Sequence, residues 1–269
     1  MTGHWEEGAD DGPTADTGAD TVWERLAPGV VRRRLPGWDA TVGAVASDEG
    51  VLVVDTGSSL REGARIRSEL RELFGLPVTH IALTHPHFDH VLGTAAFAGV
   101  QVYGAVGVDE LLARPRAREA LRDDAVAHGL APDAATEAVD VLVRPHHPVS
   151  GELTLTFGNR QVLLANVGPG HTGHDLAVLV PGAGGSAGTT GSTGAEEARE
   201  VVFCGDLVEE SGEPQAGRDA QPGHWPQALD RLLALGGEDA RYVPGHGAVV
   251  GADFVRAQRE RLAQRFADG

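Results

Sequence analysis

The chain contains no lysine, so arginine supplies all 22 of its basic residues, and cysteine occurs once, at Cys204. The missing lysine excludes a Schiff-base lysine and the lysine of a phosphate-binding P-loop. A single cysteine excludes a disulfide within the chain and a zinc site built from cysteines. A metal site in this chain must therefore draw its ligands from histidine and carboxylate side chains.

Basic residues are also scarce relative to acidic ones, 22 against 39, and the formal net charge is −17 at pH 7. A surface of this charge repels nucleic-acid phosphates and attracts cations, so we expect a small-molecule substrate and no nucleic-acid partner. An apolar run of about 20 residues, the length that crosses a bilayer, is missing. The first residues lack the basic and apolar segments of a signal peptide, so we expect a cytoplasmic protein without a membrane partner. Nothing in the sequence indicates an oligomeric state.

Composition divides the chain into a tail and one large domain. Residues 1–20 are acidic, glycine-rich and poor in large apolar groups, which predicts a disordered tail. Residues 21–269 alternate short β-like runs with helical segments, and we interpret them as a single α/β domain. Inside this domain, residues 182–200 are rich in glycine, serine and threonine and predict a flexible loop between two strands.

Hydrophobic periodicity predicts the main elements of the domain. Apolar residues at helical spacing predict a helix over 59–74, and Ser59 with Glu62 forms a plausible capping box at its start. Further helices are expected over 109–130, 225–236 and 253–267, and the stretch AVDVLVRP, residues 138–145, is expected to be a strand. Strands and helices occur in two halves, each ending in a helix. This order predicts two sheets packed face to face with helices outside.

The stretch THPHFDH, residues 84–90, follows a run that predicts a buried strand. It places four metal-capable side chains, His85, His87, Asp89 and His90, within six positions. Three imidazoles and a carboxylate packed so closely repel one another and compete for hydrogen bonds unless a cation holds them. The end of this strand is therefore a candidate metal site.

Three later residues lie where a β-like run meets a glycine-rich loop: His171 in GPGHTGHD, Asp206 in FCGDLV and His246 in VPGHG. Such positions can converge on one edge of a sheet, and glycine lets the backbone approach closely. The whole set offers five imidazoles and two carboxylates, ligands that suit zinc, iron or manganese. Seven ligands exceed one tetrahedral site and fit two ions that share a carboxylate.

This ordered pattern, H-x-H-x-D-H after a strand and then His, Asp and His in separate loops, resembles the metallo-β-lactamase-fold hydrolase superfamily. The resemblance extends over residues 22–267 and implies an αββα sandwich, with two mixed sheets face to face and the metals at one edge. The presence of the aspartate in the second loop makes the ligand set similar to that of glyoxalase II. The ligand roles that the resemblance implies are a first Zn²⁺ on His85, His87 and His171, a second on Asp89, His90 and His246, and a bridge at Asp206.

The resemblance also implies an enzyme. We expect a dinuclear metal-dependent hydrolase in which a metal-bridged hydroxide attacks a small ester, thioester, lactone or amide, with Asp89 as the catalytic group that orients it. Iron or manganese can take the place of zinc in such a ligand set. Two alternatives stay open: a mononuclear iron persulfide dioxygenase of the same fold, and a non-catalytic binding protein that a metal stabilises.

A few residues outside the ligand set are also of interest. Asp55 in VVDTG matches another motif of the superfamily, and we expect it to steady the ligand loop. Cys204 lies two positions before the bridging carboxylate, so strand alternation predicts the same face for both, and we interpret it as a buried structural thiol. His174 is a weaker candidate for a contact with the site. Residues 105–150 and 208–225 are expected to contact the substrate.

Overall fold

The computed structural model describes residues 22–182 and 199–267. The tail predicted over residues 1–20 lies outside the described residues, as does nearly all of the loop predicted over residues 182–200. The described residues form twelve strands in two sheets. Among these residues, no helix combines the length and the apolar character needed to cross a membrane.

Seven strands form the first sheet and lie side by side in chain order: β1 (Glu24–Ala27), β2 (Val30–Arg34), β3 (Thr41–Ala46), β4 (Val51–Val54), β5 (Val78–Ala82), β6 (Gln101–Ala105) and β7 (His147–Val149). Strands β1 to β4 pair antiparallel. Strands β4 to β7 pair parallel, so the connections after β4, β5 and β6 cross over the sheet. The first sheet is therefore mixed.

Five strands form the second sheet: β8 (Glu152–Phe157), β9 (Arg160–Asn166), β10 (Leu176–Val180), β11 (Val201–Glu209) and β12 (Arg241–His246). Their order across the sheet is β12, β11, β10, β9, β8. All neighbours are antiparallel except β11 and β12, which run parallel. The second sheet is mixed as well.

The described residues also form seven α-helices, six between strands and one after the last strand: α1 (Leu60–Phe74), α2 (Phe88–Val91), α3 (Val108–Ala113), α4 (Pro115–Ala127), α5 (Pro132–Asp140), α6 (Trp225–Gly236) and α7 (Ala252–Arg265). A short 3₁₀ turn covers Thr94–Ala96. The predicted capping box is half present. The Ser59 hydroxyl accepts the Glu62 backbone N–H at 3.2 Å, but the Glu62 carboxylate accepts from Ser58 instead of returning to Ser59.

The two sheets pack face to face. At Gly43 of β3 they approach so closely that an added Cβ would lie 2.3 Å from the Phe203 ring of β11, which explains the glycine. Val45, two residues further along β3, and Val178, the β10 partner of Phe203, belong to the same buried cluster. Burial of this apolar surface between the sheets is the main stabilising contribution to the fold.

Helices cover the outer face of the second sheet. Trp225 and Leu229 of α6 and Val255 of α7 form a second buried cluster with Val202 of β11 and Tyr242 of β12. On the first sheet, α1 buries Ile66 and Leu70 (both at positions that the helical periodicity selects). Two mixed sheets with helices outside confirm the predicted αββα sandwich.

The strand predicted over residues 138–145 is wrong. Residues 138–140 end α5, and the next strand, β7, begins only at His147. Val139 and Leu142 are buried all the same. These apolar side chains reach the core from the end of a helix and from the loop after it. A short run of buried residues does not by itself show whether the segment is a strand, a helix or a loop.

Candidate metal centre

The structure brings the seven predicted ligands together at one edge of the sandwich, where strands of both sheets end. Four of them follow β5, two in the loop and two on α2; one lies in the loop after β9; one is on β11; and one ends β12. Potential ligand atoms form two compact groups, in each of which they lie within 4.8 Å of one another. These groups are His85, His87, His171 and Asp206, and Asp89, His90 and His246.

Asp206 belongs to the first group and also reaches the second. Its Oδ2 is 3.6 Å from His85 Nε2 and 3.4 Å from His171 Nε2, both in the first group. The same carboxylate reaches the second group, with Oδ2 3.3 Å from His246 Nε2 and Oδ1 3.2 Å from His90 Nε2. This position agrees with a carboxylate that contacts two ions.

Each of the five histidines is held on its outer side by one ring nitrogen, which leaves the other nitrogen directed at the cluster. The five contacts are His85 Nδ1 to Thr84 Oγ1 at 3.0 Å, His87 Nε2 to Asp219 Oδ2 at 3.0 Å, His90 Nδ1 to Asp55 Oδ2 at 2.9 Å, His171 Nδ1 to the Gln215 carbonyl at 3.1 Å and His246 Nδ1 to the Trp38 carbonyl at 2.8 Å. Such outer contacts fix the tautomer and the orientation of a ligating imidazole.

Several inward atoms have no hydrogen-bond partner of acceptable geometry among the described residues. They are His85 Nε2, His90 Nε2 and Asp206 Oδ1, and all three are buried. A buried polar atom without a partner costs about 1–3 kcal/mol. A cation bound between these atoms would satisfy all three, so the residues present fit a metal site.

Burial favours the neutral form of two histidines in the first group. Burial outweighs the nearby Asp206 carboxylate and lowers the pKa of His85 well below its usual value. The same cause lowers the pKa of His171 to about 4. Neutral imidazole is the form that binds a metal ion, so both rings are prepared to ligate.

The surroundings of the two histidines in the second group, His90 and His246, favour a positive charge. Burial alone would lower the pKa of His246, but the carboxylates of Asp206 and Asp89 outweigh it and raise that pKa to about 11. The same carboxylates raise the pKa of His90 despite its complete burial. Asp89 responds in the opposite direction, since His90 and His246 outweigh burial and lower its pKa. A divalent cation would supply the positive charge that these carboxylates favour.

Asp55 makes contacts of the predicted kind. Its carboxylate accepts the Thr84 backbone N–H and the Thr84 hydroxyl, each at 2.8 Å, and also contacts His90. Asp55 has a φ of 62°, a left-handed conformation that aspartate tolerates better than most residues. It therefore ties the end of β5 to α2 and steadies the loop that carries four of the ligands.

Glycine next to two ligands lets the strands approach. An added Cβ at Gly245 would lie 1.8 Å from Asp206 Oδ1, so only glycine leaves room for the carboxylate there. Gly205 has a φ of 54°, and the pairing of β11 with β12 shifts register on both sides of it. This irregularity turns Asp206 into the cluster.

The expectation that Cys204 shares a face with Asp206 is wrong, and Gly205 is the reason, because its left-handed backbone interrupts the alternation of β11. Cys204 instead joins the buried cluster under α6 and α7. Burial raises the pKa of its thiol. The interpretation as a buried structural thiol is confirmed.

His174 also lies apart from the two ligand groups, with its Nδ1 2.9 Å from the Val106 carbonyl.

Two carboxylates at the site were missed by the sequence analysis. Asp219 holds His87, as described above, and Glu209 has a ligand atom within 4.8 Å of those of Asp206 and His246. Burial, reinforced by Asp206, raises the pKa of Glu209 to about 7. Both lie in the segment 208–225, which was expected to contact substrate. Glu209 is the last residue of β11 and Asp219 lies in the loop after it, and no spacing rule singles out either residue.

A cleft of about 1000 Å³ opens over the cluster. His171, Asp206 and His246 lie at its base, one wall comes from residues 111–128, and the other comes from residues 209–219. Parts of both segments expected to contact substrate therefore line the cleft. Trp225 is buried beneath it, with its ring 5.4 Å from that of His171.

The chain belongs to the metallo-beta-lactamase superfamily, whose family model matches residues 35–186. Among curated proteins, a linear primary-alkylsulfatase from a Pseudomonas species is 32% identical over 85 residues. That match spans 32% of this chain and 15% of the alkylsulfatase, so it covers a small part of the longer protein.

Solved structures show the same fold. A metallo-beta-lactamase from Pontibacter korlensis superposes with a TM-score of 0.67 at 19% identity and covers 90% of this chain and 98% of its own. The metallo-beta-lactamase FIM-1 from Pseudomonas aeruginosa, in a mono-zinc form, superposes with a TM-score of 0.63 at 20% identity, covering 92% and 96%. At these identities the likeness concerns the fold.

Proposed function

We propose that this chain is a hydrolase that holds two zinc ions at the cluster and cleaves a small ester, thioester, lactone or amide. The observation that carries the proposal is the orientation of the five histidines. Each is held from outside and leaves its second nitrogen facing the cluster that contains Asp89 and Asp206. Seven inward donors are more than one tetrahedral ion uses and suit a pair.

The proposed ligand sets follow the two groups. One ion would be held by His85, His87 and His171, the other by Asp89, His90 and His246, and Asp206 would contact both. When bound, zinc lowers the pKa of a coordinated water and polarises the carbonyl under attack.

Asp89 is the group that we propose to be catalytic. Its carboxylate lines the cleft and is held ionised by His90 and His246, 3.5 Å and 3.3 Å away. An ionised carboxylate at this position can accept a hydrogen bond from the attacking water, orient it and take up its proton. The Trp38 carbonyl contacts His246 Nδ1 at 2.8 Å, which orients the ring that faces Asp89.

A sulfate ester of an alkyl alcohol is a second candidate substrate. The local match to an alkylsulfatase supports it. So does Arg218, which lines the cleft and has no ion pair with any residue in 22–182 or 199–267. A free guanidinium at a cleft wall can bind an anionic head group through two hydrogen bonds.

We also propose that the substrate is a small molecule and that the protein acts in the cytoplasm without a nucleic-acid or membrane partner. The net charge of −17 supports the exclusion of nucleic acid. The cleft volume, at the upper end of the range of about 300–1000 Å³ for small-molecule sites, supports a small substrate.

Elemental analysis of protein purified without added metal tests the proposal, combined with hydrolysis assays on a thioester, a lactone, a cephalosporin and an alkyl sulfate. We expect two zinc ions per chain and turnover of one of these substrates. One iron ion per chain, with oxygen uptake on a persulfide, would overturn the proposal in favour of a dioxygenase. A bound metal without turnover of any compound would favour a binding protein.

A further inference from the structure

We propose that the cleft selects substrates with an apolar acyl chain, which lies along a wall formed by Trp38, Phe88 and one side of α4. The inference rests on the proposed hydrolase function, because the chain would be attached to the carbonyl that is cleaved at the cluster. It adds the substrate class, which the ligand set does not specify.

The apolar wall begins inside the ligand motif itself. Phe88 lies between the ligands His87 and Asp89, and all three line the cleft. From there the wall continues with apolar residues of α3 and α4, including Leu111, Ala117, Ala120 and Leu121. The same side of α4 also carries two exposed carboxylates, Asp123 and Asp124. Phe88 and Leu121 are largely buried, so the accessible hydrocarbon surface of this wall comes mainly from Trp38, Leu111, Ala117 and Ala120. A group bound next to the cluster therefore meets this surface.

This wall is held in place by contacts that also reach the cluster. The Trp38 indole N–H donates to the His128 carbonyl at 3.1 Å, and the Trp38 carbonyl contacts His246. The Phe88 ring lies 5.5 Å from the Trp38 ring and stacks on His128 at 5.4 Å. Because the aromatic groups are tied to one another and to a ligand, the apolar surface is formed before substrate binds.

The opposite wall is of a different kind. Residues 209–219 contribute exposed polar groups, among them Ser211, Gln215 and Arg218. A molecule in the cleft thus meets a mostly apolar wall on one side and a polar wall on the other, with the cluster at the base. A cleft of about 1000 Å³ is also far larger than an acetyl group requires. An acyl chain with a polar group at one end matches this distribution.

A series of 4-nitrophenyl esters tests the proposal on the zinc-loaded full chain. Each methylene that becomes fully buried is worth about fourfold in binding. We expect kcat/KM to rise at least about tenfold from the acetate to the octanoate, because a chain against one wall is only partly buried. Equal kcat/KM values for the two esters would overturn the inference.

A variant that fills the apolar side of the cleft tests where the acyl chain of the substrate lies. Ala120 is exposed on α4 and lines the cleft, so Ala120→Phe fills the apolar side without disturbing the core. This variant should lower kcat/KM for the octanoate at least tenfold and leave the acetate within about twofold. Ala113→Phe, at an exposed position of α3 outside the cleft lining, is the matched control and should change neither value. An equal loss on both esters in Ala120→Phe would contradict the assignment.

Binding of hydroxamates separates this inference from the hydrolase function. Calorimetry with octanohydroxamic acid and acetohydroxamic acid should show at least about tenfold tighter binding of the octanoyl compound, and Ala120→Phe should abolish the difference. If no ester is hydrolysed but this preference is present, the proposed hydrolysis is wrong and the acyl site stands. If esters are hydrolysed without a preference in either assay, the acyl site is wrong and the hydrolase stands.

Discussion

Replacing Asp219 with asparagine should weaken zinc binding, although Asp219 is not itself a proposed ligand. Its Oδ2 lies 3.0 Å from His87 Nε2, and this contact leaves His87 Nδ1 to face the cluster, 3.0 Å from His171 Nε2. Burial alone would lower the pKa of His87, but the hydrogen bond to Asp219 helps to outweigh it and raises that pKa. The carboxylate therefore both orients the ring and increases its basicity.

The expected magnitude follows from the exposure of the pair. Loss of a carboxylate behind a ligating histidine typically lowers metal affinity about 10- to 100-fold. The Asp219 side chain is 49% exposed, so solvent screens its charge and the lower end of that range applies. We expect about a tenfold loss in zinc affinity in Asp219→Asn, equivalent to about 1.4 kcal/mol.

Competition between the protein and a fluorescent zinc chelator measures this affinity. Asp123→Asn is the matched control, because Asp123 also lines the cleft but contacts Arg122 instead of a candidate ligand. The thermal unfolding temperature of the metal-free proteins should be the same in all three, which shows that the fold is intact. Equal zinc affinities for Asp219→Asn and the unchanged protein would refute the reasoning that Asp219 prepares His87 as a ligand.

Three further predictions concern the cluster. Asp206→Ala should lower both the metal content by elemental analysis and the hydrolysis rate, because Asp206 contacts both groups; full activity with one ion bound would contradict a bridging role. Gly245→Ala should reduce zinc affinity in the chelator assay, since its Cβ would lie 1.8 Å from Asp206 Oδ1, whereas Gly212→Ala, with open space around it, should not. Zinc content after dialysis should fall between pH 5 and pH 3, because the pKa of His171 is about 4 and an imidazole must be neutral to ligate; the same content at both pH values would count against histidine ligands.

Local sequence was sufficient to select the candidate ligands and the fold class. The four groups in THPHFDH are adjacent in sequence, so they must be adjacent in space wherever the strand before them ends. His171, Asp206 and His246 were recognisable because each follows an apolar run and has a glycine beside it or nearby, a pattern that places residues at a sheet edge. Periodicity likewise located α1, α6 and α7, since a helix that covers a sheet needs one apolar face.

Local sequence misled where the backbone departs from regular geometry. Strand alternation put Cys204 on the side of Asp206, but the left-handed Gly205 between them separates the two. The valine-rich residues 138–145 resembled a strand because several of them are buried. Buried residues are apolar whether they lie in a strand, a helix or a loop. In both cases the decisive property is a backbone conformation that depends on surrounding contacts.

Only the tertiary structure decided what surrounds the ligands. The contact of His87 with Asp219 joins residues 132 positions apart, and that of Trp38 with His128 joins residues 90 positions apart. Both involve loops whose path depends on how the two sheets pack, and such loops carry no periodicity from which a contact follows. The sequence by itself therefore determined which groups gather at the sheet edge. The packing of distant loops determined which residues orient the ligands and which surface a substrate meets in the cleft.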